Sequence, residues 1–422
     1  MYNQISRLIP FGILLLAVAY FGMLSAPDIT WINTDSDSGI YLWSTQHLGL
    51  SHPTGAPLYN LFGHLVTKPF DTIRESAQAL SLLSAVCSAI TCYILYLETK
   101  KFLAPLIFAA AGVVVSQSTI IETYAATTLC MVLMYYWRDK KWLFLIPAIL
   151  AIGIHHLAGL ALIPLLIYRR TWTDLFILVG ALWYIYYPFA VRPDAGWSEQ
   201  PWLKYFAGQN FLIGGIDPQV SLPTRLYEFL TVMVGGLGIA TIFLFRITRL
   251  PKLIWFLIGL PLLYYVTDLP PQTYVYTMPS FAFLGIALSK VIENKHEVIV
   301  VTISCLLMVG FNIYYFDIGN RLDPEPTSAR IFLEDLKRLP EGSIVYAKHR
   351  GWEKVASWNV DKDIQIYTNE RTLGNKIPTH RTVLIDSSRY LVDIIPCNYP
   401  FCPSHTHWSD RTHRMGSTIG NE

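Results

Sequence analysis

The sequence predicts a mainly α-helical, polytopic membrane protein with a small α/β domain at its C-terminus. Hydrophobic residues make up 53% of the 422 residues and charged residues only 15%, whereas a soluble protein carries about 25% charged residues. The 32 Lys and Arg and the 30 Asp and Glu are unevenly placed, because 28 of them lie in the last 106 residues, from Asp317 onward. We therefore expect a membrane domain at 1–316 and a soluble domain at 317–422. This pattern excludes a soluble enzyme and a disordered protein, and a net charge of +2 gives no basic surface for a nucleic acid.

About 10–11 apolar stretches in the first 316 residues are candidates for membrane segments. A helix needs roughly 20 apolar residues to cross a bilayer, and several of these stretches are shorter. The two on either side of His155 and His156 are expected to be half-helices meeting at a membrane-embedded loop, which is tolerated only where the backbone lines a protein cavity. The stretches lie at 10–27, 77–97, 103–121, 123–137, 142–154, 157–168, 175–191, 226–245, 253–267, 273–289 and 297–316.

Basic residues predict the orientation of these segments. With the N-terminus in the cytoplasm, the inner loops contain thirteen Lys and Arg and the outer loops five, which is the expected positive-inside bias. The first segment is interpreted as a retained signal anchor, although a signal peptide cleaved near Ala26 is the alternative. The C-terminal domain is then extracytoplasmic, and the plasma membrane is the expected location. The inner bases are Arg7, Lys100, Lys101, Arg138, Lys140, Lys141, Arg169, Arg170, Arg246, Arg249, Lys252, Lys290 and Lys295, and the outer bases are Lys68, Arg74, Arg192, Lys204 and Arg225.

The C-terminal domain shows alternating helical and strand patterns. A helical apolar stripe runs over 328–339 and ends before Pro340, and a second helical stretch is expected at 352–358. Short strands are expected at 343–347, 364–367 and 382–386. Alternating elements of this kind indicate a small α/β unit. Cys397 and Cys402 could form a local disulfide in an oxidising compartment, with a metal site as the alternative.

The first outer loop, at 28–76, carries the residues best suited to chemistry. Asp35 and Asp37 lie just beyond the first membrane segment, where a carboxylate can face a surface cavity without entering lipid. Pro53 and Pro57 forbid a regular helix between them, so His52 is expected in an irregular segment. Functional residues are often found on such loops. A solvated acidic loop with ordinary turn residues is the alternative interpretation.

Asp37 is suited to act as a general base. A carboxylate placed against a hydroxyl can accept its proton while the oxygen attacks an electrophilic carbon. If the leaving group is already a phosphate, the site needs only cations or dipoles to hold the departing charge. A divalent cation at Asp35 and Asp37 remains an alternative, but two acids at this spacing are a weak metal signal, so no cofactor is predicted.

The run D-S-G, separated by eight residues from L-G-L-S-H-P-T-G-A-P-L-Y, resembles the first-loop signature of a GT-C-type glycosyltransferase family, long catalogued as domain-of-unknown-function family 2723, which includes protein O-mannosyltransferases. Further matches follow in order over about 30–210. They are Glu122 in I-I-E-T-Y-A, His155 and His156 in G-I-H-H, Arg192 after Tyr187-Pro188, and Trp197.

The resemblance implies an inverting transferase that takes a sugar, mannose or another hexose, from a polyprenyl-phosphate carrier. The implied acceptor is a hydroxyl of a protein Ser/Thr or of a surface glycan or lipid. By the same resemblance, Asp37 is the general base. The resemblance also implies that Asp35, His52, Glu122, His155, His156, Arg192 and Trp197 line the site or hold the lipid phosphate.

This chain departs from the family pattern at two positions. Ile40 replaces the usual Glu after D-S-G, so the role of that Glu is missing or has moved, with Asp35 as one candidate. Thr54 replaces the second Pro of H-P-P-G. The loss at Ile40 favours a rival hypothesis, a non-catalytic membrane anchor for the C-terminal domain.

A secondary transporter is the rival from another class. It predicts inverted repeats and charged residues near the bilayer midplane, and the sequence shows neither pattern.

Each candidate site residue also has a structural alternative. Asp37 could cap a helix, Glu122 could form a structural ion pair, Arg192 could be an interfacial Arg, and Trp197 could belong to an aromatic belt. Since adjacent helical residues point about 100° apart, one of His155 and His156 is expected to be structural.

The predicted orientation can be tested with reporter fusions. Alkaline phosphatase folds only outside the cytoplasm, so we expect it to be active when fused after residue 51 or residue 320 and inactive after residue 101. Green fluorescent protein at the same positions should give the opposite pattern. Phosphatase activity only at residue 101 would contradict the orientation.

Overall fold

The structure is a computed structural model and shows a bundle of helices. It describes residues 2–29, 37–51, 55–190, 222–268, 273–320, 344–346 and 365–367. The α-helices are α1 (Tyr2–Leu24), α2 (Asp37–His47), α3 (Pro57–Thr67), α4 (Ile73–Thr99), α5 (Leu103–Ala110), α6 (Gly112–Ser118), α7 (Tyr124–Tyr136), α8 (Leu145–Ile154), α9 (Gly159–Arg169), α10 (Leu222–Leu237), α11 (Lys252–Asp268), α12 (Met278–Val291) and α13 (Lys295–Asn320). Helical segments with 3₁₀ geometry are His156–Ala158, Trp172–Phe189, Gly238–Arg249 and Thr273–Thr277.

The lengths of these helices fit a membrane protein. Three of the described helical stretches, Ile73–Thr99, Pro223–Arg249 and Lys295–Tyr315, are long and apolar enough to cross a bilayer. Shorter apolar helices accompany them. On the outer surface of the bundle, large apolar side chains such as Leu15, Leu307 and Tyr314 are exposed. Faces of this kind are stable against lipid, so the expected multi-pass membrane fold is supported.

The central helix of the bundle is α4, which packs against α1, α5, α6, α7 and α12. Its start is fixed locally, because the Thr72 hydroxyl oxygen accepts a hydrogen bond from the Glu75 backbone N–H at 3.2 Å. Such a cap satisfies one of the free N–H groups of a first helical turn. Buried small residues on α4 let its neighbours approach closely, as is common among membrane helices.

The helices break at two points inside the bundle, one that the sequence did not predict and one that it did. The stretch expected at 103–121 forms α5 and α6, separated at Ala111, whose backbone is extended. The Asn312 side chain from α13 donates a hydrogen bond to the Ala110 carbonyl at 2.9 Å. The second break lies at His155, between α8 and the turn that leads into α9. The prediction that two short helices meet at the histidine pair is therefore confirmed.

Ion pairs join helix ends that the charge pattern assigns to the cytoplasmic face. Glu98 at the end of α4 contacts Arg138 at 3.1 Å and Lys290 at 3.9 Å. Arg246 forms a two-pronged pair with Glu297, with N···O distances of 2.7 and 2.9 Å. The Glu98 cluster joins the end of α4 to the turn after α7 and to the last turn of α12, at one end of the bundle.

Two of the strands expected in the C-terminal region are present. The strands β1 (Ile344–Tyr346) and β2 (Gln365–Tyr367) pair in parallel, with Val345 opposite Ile366. Parallel strands require a crossover between them, and the helical stretch expected at 352–358 lies in that connection, outside the described residues. The strand expected at 382–386 and Cys397 and Cys402 also lie outside them.

Helix α12 packs against α5 without room for a side chain at Gly285. A methyl group there would lie 2.6 Å from the Ala104 carbonyl oxygen, which is backbone and cannot move aside. We expect Gly285→Ala to lower the free energy of unfolding by about 1–3 kcal/mol. Gly310→Ala is the matched control, because nothing lies within 4 Å of its added methyl group. Thermal unfolding in detergent measures both, and equal melting temperatures would contradict this packing.

Candidate active site

The first-loop motif is built on two helices with an irregular segment between them. Asp37 is the first residue of α2, and Pro57 is the first residue of α3. Positive φ angles occur at Leu48 (52°) and Gly55 (79°), which directs the chain away from helical geometry. Residues 55 and 56, the described part of the stretch between Pro53 and Pro57, are not helical, as predicted. Asp37 thus lies at the start of a helix, a position that agrees with its structural alternative as a helix-capping residue.

Asn60 holds this irregular segment together from inside α3. Its side-chain N–H₂ donates to the Gly49 carbonyl at 3.1 Å and to the Ser51 hydroxyl oxygen at 3.2 Å. Its carbonyl oxygen accepts from the Ser44 hydroxyl at 3.0 Å. Asn60 is fully buried, so all three bonds form away from water. The segment that leads to His52 therefore has a fixed backbone.

A hydrogen bond joins the D-S-G motif to the loop that carries Glu122. The Ser38 hydroxyl donates to the Ile121 carbonyl at 3.1 Å, across 83 residues of sequence, and both residues are buried. Since Ser38 follows Asp37 and Ile121 precedes Glu122, the two acidic motifs start from adjacent points of the fold. This contact is the strongest support for one site that contains both acids.

Glu122 is held between α4 and α7 with 2% of its surface exposed. The Ser84 hydroxyl donates to its backbone carbonyl at 3.2 Å. The Thr123 backbone N–H donates to its carboxylate Oε2 at 3.1 Å. A buried carboxylate is costly unless it is hydrogen-bonded or paired, so Glu122 occupies a polar environment that the protein maintains inside an otherwise apolar bundle.

The histidine pair lies close to this acidic loop. The ring centroids of His155 and Tyr124 are 5.3 Å apart, and Tyr124 also contacts Tyr276 at 5.7 Å. His155 is extended, and its Nδ1 accepts a hydrogen bond from the Leu157 N–H at 3.1 Å. The neutral ring therefore carries its proton on Nε2.

The prediction that the two histidine side chains point in different directions on one helix is wrong. They are not consecutive positions of one helix pointing about 100° apart, because the helix ends before His155. Their rings stack instead, with centroids 4.2 Å apart. The prediction that one of them has a structural role fits His155, since its Nδ1 caps the turn that follows.

The helical segment Trp172–Phe189 packs against the first loop. The Tyr186 hydroxyl donates to the Gly49 carbonyl at 3.0 Å. Gly55 lies directly against the Tyr187 hydroxyl, so a larger residue could not fit there. Gly153, two residues before His155, leaves similarly little space between α3 and Trp183. The first-loop, G-I-H-H and Tyr187-Pro188 motifs therefore meet in the fold.

Several predicted site residues lie outside the described residues. These are Asp35, His52, Arg192 and Trp197, and for Asp37 only the backbone is described. Their roles stay predictions. In the described part of the chain, no group of three or more His, Cys, Asp or Glu side chains could hold a metal ion. Ile40, at the position of the family's Glu, is fully buried.

Three buried polar residues around this site were not predicted from the sequence. They are Asp28, which is 4% exposed, Asn60, and Tyr59, which is 3% exposed. Tyr59 and Asn60 directly follow A-P-L in the first-loop motif, and this closeness to the motif is the feature that could have identified them from the sequence. Asp28 lies in the short segment after α1 whose Ala26 N–H donates to the Thr119 carbonyl at 2.7 Å. Sequence alone did not reveal that this segment is buried beside the Glu122 loop.

Comparison with known families gives a match over the first half of the membrane domain. Residues 37–146 match the family described as the protein O-mannosyl-transferase TMEM260 N-terminal domain. The matched range begins at Asp37 and includes Glu122. No curated protein sequence gives a significant match.

Solved structures show the same fold over nearly the whole chain. The apo crystal structure of ArnT from Cupriavidus metallidurans aligns over 92% of this chain and 91% of that chain, with a TM-score of 0.52 and 11% identity. The structure of the same protein bound to undecaprenyl phosphate aligns over 91% and 90%, with a TM-score of 0.52 and 12% identity. The family match and the shared fold together support a membrane glycosyltransferase of the GT-C type that is similar to protein O-mannosyltransferases.

Proposed function

We propose that this protein transfers a sugar, mannose or another hexose, from a polyprenyl-phosphate carrier to a hydroxyl group with inversion, using Asp37 as the general base. The observation that carries the proposal is the buried hydrogen bond from Ser38 to Ile121. It joins the side chain of Ser38, the neighbour of Asp37, to the backbone carbonyl of Ile121, the neighbour of Glu122. This arrangement supports a site in which one acid transfers a proton and a second acid binds substrate.

The reaction needs one proton acceptor and one place for the departing charge. The Asp37 carboxylate accepts the proton of the acceptor hydroxyl while its oxygen forms a bond to the anomeric carbon. The bond between that carbon and the phosphate oxygen breaks, and the electron pair leaves with the polyprenyl phosphate. Attack and departure occur on opposite faces, which inverts the anomeric configuration. Because a phosphate is a good leaving group, no protein acid is required.

Arg192 is the proposed holder of the phosphate, with His156 as a second contact. A guanidinium binds phosphate oxygens with two parallel hydrogen bonds. Tyr187, five residues earlier, contacts Gly55 of the first-loop motif, and this supports a path of the chain that brings Arg192 close to the site. Asp35, His52 and Trp197 complete the proposed lining.

The donor and acceptor are proposed from the relatives. The ArnT structure with undecaprenyl phosphate supports a polyprenyl-phosphate donor, and the O-mannosyl-transferase family match supports a protein Ser/Thr acceptor. A hydroxyl of a surface glycan or lipid is the alternative acceptor. We place the reaction at the extracytoplasmic face of the plasma membrane, on the side that carries the C-terminal domain.

Asp37→Asn tests the proposed base directly. The amide keeps the size of the side chain but cannot accept the proton, so we expect turnover to fall about 10² to 10⁴-fold. Purified protein would be assayed for transfer or release of radiolabelled sugar from a panel of polyprenyl-phosphate sugars. Binding of the polyprenyl phosphate should be retained, because the substitution removes no cation.

Asp71→Asn is the matched control, since Asp71 is an exposed acid in the same loop. It should keep wild-type turnover. Equal turnover of Asp37→Asn and wild type would move the base to Asp35 or Glu122. Wild-type protein that neither binds nor turns over any donor would contradict the transferase and favour a transporter or a membrane anchor.

A further inference from the structure

Two turns at one end of the bundle carry basic residues that the candidate active site does not use. One turn joins α7 to α8, and the other follows α9. The charge pattern assigns this end to the cytoplasmic face. Since α8 has ten residues, this end lies about 15 Å from the helix break at His155. The bases on the two turns are Arg138, Lys140, Lys141, Arg169 and Arg170.

Arg169 fixes the two turns against each other. Its guanidinium donates to the Arg138 carbonyl and, at 3.3 Å, to the Lys141 carbonyl. It also pairs with the Asp174 carboxylate at 3.0 Å and lies over the Phe144 ring, 4.0 Å from the centroid. The Arg169 side chain is only 3% exposed, so these contacts form a rigid connection away from water. The two turns therefore present their bases from fixed positions on one surface.

Ion pairs neutralise only part of this positive charge. Three acids pair with the bases of the two turns, and five bases against three acids leave a net positive charge. Lys140, Lys141 and Arg170 are exposed and pair with no acid in the part of the chain that the structure describes. These three residues are called the basic cluster below. The ion pairs are Glu98 with Arg138, Asp139 with Arg138, and Asp174 with Arg169.

Exposed aromatic rings indicate that the basic cluster lies at the depth of the lipid headgroups. Trp142 and Trp172 are 58% and 64% exposed, and each packs against Phe176, with ring centroids 6.0 and 5.9 Å apart. The Lys141 ammonium lies over the Trp172 ring, 5.1 Å from its centroid. Tryptophan collects where a membrane meets water. Next to these rings, exposed apolar side chains such as Leu175 offer a surface for acyl chains.

We propose that the basic cluster binds the phosphate group of an anionic phospholipid, whose acyl chains lie against the apolar side chains beside Trp142 and Trp172. Basic pockets on the cytoplasmic side of membrane helices bind anionic headgroups in this way. A lipid fits better than a free phosphate, because the surface combines cations with an adjoining apolar face. The inference is independent of the transferase reaction and uses no residue of the candidate active site.

Titration with phosphatidylglycerol tests the site in the purified full-length protein. The protein would be held in a non-ionic detergent while its melting temperature is recorded. A ligand that binds only the folded protein raises this temperature, and salt should reduce the rise, because it screens exposed charges. Phosphatidylcholine, whose headgroup has no net charge, should have little effect. No rise with phosphatidylglycerol, or an equal rise with phosphatidylcholine, would overturn the inference.

A variant with Lys140→Gln, Lys141→Gln and Arg170→Gln removes the basic cluster. Each base near an anionic surface strengthens attraction about fivefold, so the affinity for phosphatidylglycerol should fall about 10²-fold. The three side chains are exposed, so the melting temperature without lipid should match that of the wild type. The lipid-induced rise is compared with each protein's own melting temperature. An unchanged rise in the variant would contradict the proposal.

The matched control removes three exposed bases elsewhere on the same predicted face, with Arg249→Gln, Lys252→Gln and Lys295→Gln. It should keep the wild-type affinity for phosphatidylglycerol. An equal loss in the control would show that total charge attracts the lipid, and the proposed site would be wrong. Inorganic phosphate at the same concentration should not raise the melting temperature. A rise equal to that with phosphatidylglycerol would assign the cluster to a free anion and overturn the lipid site.

Discussion

Where the helices of this protein break inside the bundle, backbone carbonyl groups lie in apolar surroundings, and buried side chains satisfy them. In a bilayer or a dry protein interior no water is available for this purpose, so an unsatisfied carbonyl is costly. Asn312 binds the carbonyl at the α5–α6 break, and Asn60 and Tyr186 both bind the Gly49 carbonyl. The Asn312 and Tyr186 bonds join segments that are distant in sequence. The requirement to satisfy the backbone therefore also determines which segments are neighbours.

The same requirement assembles the candidate site. Ser38 and Ser84 bind consecutive carbonyls at Ile121 and Glu122, so the acidic loop is held between the first-loop helices and α4. The Leu157 N–H is bound by His155 in the same way at the break after α8. Irregular backbone brings polar side chains to these points, and the chemistry of the site depends on those side chains. The need to satisfy buried backbone groups therefore shapes both the fold and the proposed site.

The sequence located the motifs but not all of their geometry. The proline pair in the first loop was enough to exclude a helix there, because proline lacks an N–H and restricts its neighbour. The histidine pair marked a break, since the apolar stretches beside it are too short to span. The stacking of the two rings was not predictable, because it depends on the extended conformation of His155. The burial of Tyr59 and Asp28 depends on the packing of α3 and of the segment after α1, which local patterns do not encode.

The sequence by itself determined that this is a membrane protein, because the bilayer sets the lengths of the apolar stretches and the positions of the charged residues. Its first-loop motif also led to the glycosyltransferase family that the comparisons support. Only the tertiary structure decided that Ser38 contacts Ile121, that Tyr187 packs against Gly55, and that the Tyr59 side chain is buried. The first two contacts span 83 and 132 residues of the chain. Such pairings arise from the packing of whole helices, and no periodicity or motif spacing specifies them.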